Sequence, residues 1–385
     1  MKQTILIAFV LLLVPIASAQ VYKITDLGPL SPTAINIWGQ VVGNLNGQAY
    51  IWTQFAGPQG LGTLTGGTSS YAASISDLGV VAGTADGPAT VISQDPSFPN
   101  EECSDLTQPF VWTARNGMQG LSTVGYFAWW PYWCDIPFYA AGVNNFGQVV
   151  GYSEQAVSYQ WGFLWTSADG MTLFGGSWPP TFVNGISNTG RIVGQNSGDP
   201  YSTYGFGNAT SWESGVATDL GTLGGGADVV GYSSSANGVN DLGQVVGWST
   251  TAPVEFEACS GGVGTGCPMH AVLWTKNGVI RDLGTLPGDT LSAASKINFF
   301  GLVIGSSGDS FAIEEEGQTS SEGSPEVIGR PFIWTAPSGM QDLNTLISSN
   351  SGWVLNTATG INFWGQIVGS GTLNGQTHGF LLTPR

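Results

Sequence analysis

Residues 239–247 read Val-Asn-Asp-Leu-Gly-Gln-Val-Val-Gly, and variants of this nine-residue pattern recur along the chain. An asparagine or aspartate hydrogen bonds readily to its own backbone, and a glycine supplies a positive φ, so the centre of the pattern favours a tight turn. The β-branched pair after the glycine favours a strand. The seven copies begin at Ile35, Ile75, Val143, Ile186, Val239, Ile297 and Ile361. The pattern therefore predicts a repeated β-hairpin.

Two further motifs recur once for each hairpin. The first is an apolar run ending in Trp-Thr or a near relative, and the second is Asp-Leu-Gly or a degenerate version of it. The Trp-Thr copies centre on Trp52, Trp112, Trp165, Trp212, Trp274, Trp334 and Leu382. The Asp-Leu-Gly copies centre on Leu27, Leu61, Leu121, Leu173, Leu220, Leu283 and Leu343. Each unit thus has strands a and b in the hairpin, strand c at Trp-Thr and strand d at Asp-Leu-Gly, which is the make-up of a propeller blade.

The order of the strands indicates how the ring closes. The last unit stops at Arg385 without a strand d, whereas a spare strand d at Val21–Leu27 precedes the first unit. A ring that completes its last blade with its first strand leaves no open edge. We therefore predict an all-β, seven-bladed β-propeller in which Val21–Leu27 pairs with Gly379–Thr383. A linear β-solenoid is the alternative, but it gives no reason for the displaced strand.

The motifs have their fullest form in Asp219–Gly226, Val239–Gly247 and His270–Thr275. In this form they resemble the units of the HAF-repeat extracellular proteins, a family named for a His-Ala-Phe run before Trp-Thr. The resemblance covers residues 21–385, and it implies a secreted protein built from repeats without an established activity. The histidine is kept at His270 and His378, and the matching positions elsewhere hold Gln48, Gln108, Trp161, Asn208 and Arg330.

The N-terminus has the three parts of a secretory signal peptide. Lys2 gives a short positive region, Ile5–Val14 is an uninterrupted apolar run of ten residues, and Ala17-Ser18-Ala19 matches a cleavage site. A membrane span requires roughly 20 apolar residues, so this run is too short to be one. We predict a signal peptide at 1–19 and a single propeller domain of HAF-type repeats at 20–385. The mature protein is expected to be secreted (extracellular or periplasmic), without a membrane span.

The amino-acid composition excludes some classes of binding partner and some classes of structure. The chain has 385 residues, with 26 acidic against 9 basic side chains and a formal net charge of -17. Nine dispersed cations do not form the basic stripe that nucleic-acid binding requires, so DNA and RNA are excluded as partners. Because 42% of the residues are hydrophobic and only 9% are charged, a disordered acidic tail and a coiled coil are also excluded. We expect a folded monomer.

The four cysteines are expected to form disulfides, since an exported protein meets oxidising conditions. We predict the pair Cys259–Cys267, joined by a short flexible loop, and the pair Cys103–Cys134, on the same face of adjacent blades. Metal ligation is less favoured, because the chain has no C-x-x-C spacing and only two histidines. Neither a metal site nor a cofactor is predicted.

The two faces of the predicted ring differ in their connections. Alternating strand directions place the a–b and c–d connections on one face, here named the turn face, and the others on the opposite loop face. The loop face carries insertions at 84–107, 122–139, 195–207, 248–269 and 306–329, together with 18 of the 26 acidic residues. Long connections on a rigid scaffold commonly carry function. The acidic charge serves solubility or attracts a basic partner, and the sequence leaves both readings open.

One loop-face insertion is unusually aromatic, since Tyr126–Tyr139 holds eight aromatic residues among fourteen. Flat rings beside carboxylates suit a glycan or an apolar protein surface. Alternatively, the loop folds over the ring opening and packs on itself. The predicted ligand-binding residues are Tyr126, Trp129, Trp130, Tyr132, Trp133, Asp135, Glu101 and Glu102.

Signs of catalysis are weak. The chain lacks a Gly-x-Ser-x-Gly elbow, a His-Glu-x-x-His zinc motif and a sialidase Asp box, and no catalytic residue is assigned. The sequence therefore favours a secreted, non-catalytic binding or cell-surface interaction module whose ligand is an extracellular glycan or a basic or apolar protein. The alternative is a propeller glycoside hydrolase using loop carboxylates such as Glu101 with Glu102, or Glu255 with Glu257.

Overall fold

The computed structural model describes residues 22–93, 100–104, 106–125, 136–153, 160–175, 181–196, 207–224, 233–252, 268–312 and 326–385. Within these residues the protein is built from β-strands and one short 3-10 helix at Leu343–Leu346. Seven antiparallel sheets form a ring, and strand a of each sheet is the innermost. The predicted seven-bladed β-propeller is confirmed.

The first strands in the chain build blades one and two and a small satellite sheet. The N-terminal strand is β1 (Tyr22–Asp26), and blade one holds β2 (Ser31–Ile35), β3 (Val41–Leu45), β4 (Gln48–Thr53) and β5 (Gly57–Gly62). Next come β6 (Ser70–Ile75), β7 (Val81–Ala85), β8 (Ala89–Ser93), β9 (Glu101–Cys103), β10 (Gln108–Thr113), β11 (Gly117–Gly120) and β12 (Thr123–Gly125). Of these, β6, β7, β10 and β11 form blade two, while β12, β8 and β9 form the satellite sheet.

The remaining five blades follow in chain order. Blade three holds β13 (Phe138–Val143), β14 (Val149–Ser153), β15 (Gly162–Thr166) and β16 (Gly170–Phe174). Blade four holds β17 (Thr181–Ile186), β18 (Ile192–Asn196), β19 (Asn208–Glu213) and β20 (Val216–Asp219). Blade five holds β21 (Ser234–Val239), β22 (Val245–Thr250), β23 (Met269–Trp274) and β24 (Ile280–Asp282). Blade six holds β25 (Leu291–Ile297), β26 (Val303–Ala312), β27 (Glu326–Thr335) and β28 (Gly339–Asp342), and blade seven holds β29 (Trp353–Leu355), β30 (Gly360–Ile361), β31 (Ile367–Leu373) and β32 (Gln376–Pro384).

The N-terminal strand completes blade seven. β1 pairs antiparallel with β32, from Tyr22 opposite Pro384 to Asp26 opposite Phe380. The Tyr22 side chain is 1% exposed and packs in a hydrophobic cluster shared by blades six and seven. The predicted closure is therefore confirmed, and the first and last strands of the described residues lie side by side.

Two glycines of the hairpin motif have different physical roles. In the blade-five copy Gly243 has a φ of 78°, a conformation that other residues rarely adopt. Gly247 lies on β22 opposite a β-bulge between Ala236 and Gly238 of β21. A Cβ at Gly247 would overlap the carbonyl oxygen of Ser235, so strands a and b approach too closely there for any side chain. The turn predicted from the pattern is confirmed, and the bulge explains its final glycine.

The motif asparagine joins neighbouring blades. Asn240 Oδ1 accepts hydrogen bonds from the N–H groups of Leu242 at 3.1 Å and Gln244 at 3.0 Å, which caps its own turn as predicted. Its Nδ2 also donates to the carbonyl of Asn298 in blade six at 3.0 Å. The corresponding donations to the next blade come from Asn36, Asn144, Asn298 and Asn362. The motif therefore stabilises the ring as well as the hairpin.

The histidine that precedes the Trp-Thr run has a structural partner. His270 Nδ1 lies 2.9 Å from Asp282 of the Asp-Leu-Gly motif on the neighbouring strand of the same blade. His378 lies 2.9 Å from Asp26 in the same way, across the closing pair of strands. The matching positions repeat the contact as Arg330 with Asp342 and Asn208 with Asp219. The two motifs thus form a polar link between strands c and d.

The structure corrects two details of the sequence interpretation. The insertion at 306–329 was expected as a loop, but β26 extends to Ala312 and β27 begins at Glu326, so its described part lengthens a hairpin. An apolar run also predicts that the Trp-Thr tryptophans lie in the core between blades; Trp52, Trp212, Trp274 and Trp334 are buried there, whereas Trp112 and Trp165 are only half-buried. Among the described residues, no helix reaches the length and apolar character needed to cross a membrane.

Asp86 follows β7 of blade two and binds the segment that leads from blade one into β6, and these hydrogen bonds imply that the stability of the fold depends on pH. Burial alone would raise the pKa of Asp86, but hydrogen bonds from the side chains and backbone N–H groups of Thr68 and Ser69 lower it from 3.8 to about 2. A carboxylate with a depressed pKa stabilises the fold above its unfolded pKa and loses that contribution as the pH falls through its folded pKa. Asp86→Asn should therefore be less stable than the parent at pH 7, and the difference should shrink as the pH falls from 3.8 towards 2.

Urea unfolding at a series of pH values measures this difference. Asp169→Asn, on an exposed c–d turn, is the matched control and should stay within about 0.5 kcal/mol of the parent. A stability difference for Asp86→Asn that stayed constant from pH 7 to pH 2 would show that its carboxylate charge contributes nothing.

Candidate binding site

Most residues of the predicted loop-face site lie outside the described residues. These are Tyr126, Trp129, Trp130, Tyr132, Trp133 and Asp135. Glu101 and Glu102 belong to β9 of the satellite sheet, and the exposed Glu102 carboxylate accepts a hydrogen bond from Thr90 Oγ1 at 3.1 Å. The loop-face site therefore stays a prediction.

Cys103 lies on the same satellite sheet. It is 4% exposed, packs against Val91 and Leu106, and takes part in a disulfide. Cys134, Cys259 and Cys267 lie outside the described residues, so the predicted pairings Cys103–Cys134 and Cys259–Cys267 stay predictions.

A central channel forms a concave site among the described residues. The a-strands and the a–b turns of all seven blades surround a cavity of about 500 Å³ along the ring axis. At the turn face, the third residue of each hairpin motif lines its mouth. These residues are Ile37, Asp77, Asn145, Asn188, Asp241, Phe299 and Phe363.

Half of this mouth is a polar arc, formed by Asp77, Asn145, Asn188 and Asp241. Each of these side chains reaches a neighbouring turn: Asn145 Oδ1 accepts from the Asp77 N–H at 2.7 Å, and Asn188 Oδ1 accepts from the Asn145 N–H at 2.8 Å. Both oxygens of Asp241 accept from Asn188, at 2.8 Å from its N–H and 2.9 Å from its Nδ2. Asp77 accepts from the Ile37 N–H at 3.1 Å and from Asn145 Nδ2 at 3.1 Å. The two carboxylates are therefore already engaged in holding the ring of turns.

The other half of the mouth is apolar. The ring centroids of Phe299 and Phe363 lie 5.6 Å apart, and those of Phe300 and Phe363 lie 4.7 Å apart. Trp364 extends the cluster, with its ring 5.0 Å from that of Phe363. Aromatic pairs at these separations attract each other, so the apolar half is a packed wall.

Large apolar side chains stand around the channel mouth at the fourth position of the hairpin motif. They are exposed by 49% to 77%, and we name them the apolar crown: Trp38, Leu78, Phe146, Leu242, Phe300 and Trp364. The blade-four copy has Thr189 at this position. Isolated exposed apolar residues are ordinary on protein surfaces, whereas six of them at equivalent positions around one opening favour an interaction site.

Two members of the crown are held in place by their indole groups. Trp38 Nε1 donates to the Asp77 carbonyl in blade two at 2.9 Å. Trp364 Nε1 donates to the Ile37 carbonyl in blade one at 3.0 Å. Each indole therefore reaches across a blade junction while its ring stays largely exposed, which orders the crown before any partner arrives.

Sequence reasoning missed the crown, because the short uniform turns were set aside in favour of the longer loops. The signal was available, since six of the seven hairpin copies carry a large apolar residue where a solvated turn tip would normally be polar. What the pattern did not reveal is that all these tips converge on one opening.

Comparison with known proteins supports the fold. No protein-family profile and no curated protein sequence matches the chain. Among solved structures, an oligogalacturonate lyase in complex with manganese matches with a TM-score of 0.51 and 10% identity, over 96% of this chain and 94% of that one. Virginiamycin B lyase from Staphylococcus aureus matches with a TM-score of 0.46 and 12% identity, over 94% of this chain and 99% of that one. At 10% identity the likeness to the oligogalacturonate lyase is one of fold alone.

Proposed function

We propose that this protein is a non-catalytic interaction module, exported from the cell, that docks an apolar surface of a protein partner on the apolar crown. Export and membership of the HAF-repeat family rest on the N-terminal pattern and on the repeat motifs. The observation that carries the proposal is the ring of exposed Trp, Phe and Leu side chains around one opening.

The composition of the crown favours a protein partner. None of the seven tip positions carries a charge, and tryptophan is among the residues that contribute most at protein interfaces. The two carboxylates beside the crown, of Asp77 and Asp241, already accept hydrogen bonds from neighbouring turns, and 18 of the 26 acidic residues are predicted on the opposite face.

A glycan fits the crown less well. Leu78 and Leu242 offer no flat ring for a sugar to stack on. The nearby polar groups that would read sugar hydroxyls are already paired, including both indole nitrogens, of Trp38 and Trp364, and both carboxylates of the polar arc.

The same pairing argues against catalysis at this mouth. A glycoside hydrolase needs one carboxyl group free to donate a proton and another free to attack or activate water. Asp77 and Asp241 instead accept hydrogen bonds from backbone N–H and side-chain amide groups of neighbouring turns, a structural use of both.

Substitution within the crown tests the proposal. Proteins from the culture medium are captured on the immobilised parent and identified, and each purified candidate is then titrated against variants. The crown variant is Phe146→Ser with Trp364→Ser, and the control is Phe55→Ser, a fully exposed side chain on a c–d turn outside the crown. A genuine partner should lose about tenfold or more in affinity for the crown variant and none for the control.

A glycan array probed with the same three proteins separates the classes of partner. The proposal is wrong if every captured protein binds the crown variant as well as the parent, or if only glycans depend on the crown residues.

A further inference from the structure

The channel contains one cation where the other blades have small residues. Lys296 lies on β25 immediately before the blade-six hairpin motif and lines the central cavity. The equivalent positions of the other six blades hold Ala34, Ser74, Gly142, Gly185, Gly238 and Gly360. The lysine is therefore a departure from the repeat, confined to a single blade.

Its ammonium group lacks a counter-ion in the part of the chain that the structure describes. The nearest polar contact of Nζ is the backbone carbonyl of Asn237, at the long distance of 3.5 Å. None of the ion pairs among the described residues includes Lys296. Burial lowers the pKa of Lys296, and no nearby carboxylate offsets that effect.

A charge without a counter-ion in a partly enclosed channel loses solvation free energy. The small, uncharged residues at this position in the other blades do not have this cost. An anion that entered the channel would supply the missing partner. This anion would contact one ammonium group inside the channel, and it would lie near the negative charges of Asp77 and Asp241 at the turn-face mouth. These surroundings suit a single negative charge better than a phosphate dianion, which needs more donors.

We propose that the central channel binds a small carboxylate-bearing molecule, with its carboxylate on the Lys296 ammonium and its apolar part against the Phe299 and Phe363 wall. A cavity of about 500 Å³ has the size of an ordinary small-molecule site. The ligand's carboxylate lies inside the ring at Lys296, whereas a docked protein lies on the crown at the rim; the two sites adjoin at Phe363, which packs against the crown residues Phe300 and Trp364.

Benzoate and its neutral analogue benzamide form a matched pair of probes for titration calorimetry. Benzoate should bind the parent about tenfold or more tighter than benzamide, since both have the same ring and only benzoate carries the charge. Lys296→Met should lose this preference, while Lys296→Arg should keep it. The control Lys276→Met removes an exposed lysine from a c–d turn and should bind both probes as the parent does.

The thermal midpoint gives a second readout. Benzoate should raise it for the parent and for Lys276→Met, but not for Lys296→Met, whose own fold is checked by circular dichroism. The proposal is overturned if benzoate fails to bind the parent at millimolar concentrations, or if it binds Lys296→Met equally well. Either failure leaves protein docking on the crown unaffected, because the crown variants test that separately.

Discussion

Removing the closing strand is expected to destabilise the whole ring. Deletion of Tyr22–Asp26 removes the outermost strand of blade seven, leaves β32 paired on one side only, and exposes the cluster shared by blades six and seven. Tyr22→Ala alone should lower the free energy of unfolding by about 3 to 5 kcal/mol, the usual cost of removing a buried aromatic ring. The deletion should cost more, since it also removes the backbone ladder and the contact of Asp26 with His378.

Urea unfolding of the chain that begins at Gln20 provides the reference. Tyr22→Phe is the matched control, because the Tyr22 hydroxyl is buried and has no hydrogen-bond partner among the described residues. This variant keeps the ring and should stay within about 0.5 kcal/mol of the parent. If the deletion variant unfolds at the same urea concentration as the parent, β1 does not hold the ring closed.

Loss of a motif asparagine should weaken a blade junction. Asn240→Ala removes the acceptor for two N–H groups of its own turn and the donor to the Asn298 carbonyl of blade six. Leaving buried polar groups unpaired should lower the free energy of unfolding by about 2 to 4 kcal/mol. Asn240→Ser should cost less, because Ser76 and Ser187 occupy the same position in blades two and four.

The serine comparison separates the two roles of the asparagine. Ser76 Oγ accepts from the Val80 N–H at 3.2 Å, so serine caps the turn but is too short to reach the next blade. Asn277→Ala, an exposed asparagine on the c–d turn of blade five, serves as the control and should be nearly neutral. Equal stability losses for Asn240→Ala and Asn277→Ala would contradict a role for the motif at the junction.

The blades and their closure were accessible from the residue pattern. A hairpin such as Val239–Gly247 is encoded by neighbouring residues, since its turn depends on local backbone conformation and its strands on short-range pairing. The closing strand could be inferred because strands of each type had to balance, and the structure confirms the pairing of β1 with β32. The loop-face site rested on Tyr126–Tyr139, which lies outside the described residues, so that part of the prediction stays open.

The sequence alone did not reveal which residues have structural roles and which are exposed on the surface. His270 stands out in a chain with only two histidines, but its contact with Asp282 links strands c and d of one blade. The partner is found only when strand d folds back beside strand c. The short a–b turns looked uninformative, although they carry Phe146 and the other crown residues.

Local pattern therefore accounts for the number of blades, the tight turns and the strand that seals the ring, because those features depend on residues close in sequence or on a balance of strands. Ring closure alone creates the apolar crown and isolates Lys296 in the channel. Trp38 and Trp364 are far apart in the chain, yet the indole of Trp364 reaches the Ile37 carbonyl, directly before Trp38. Such neighbours arise because each blade packs against the next around a common axis, and no local pattern encodes which side chains meet there.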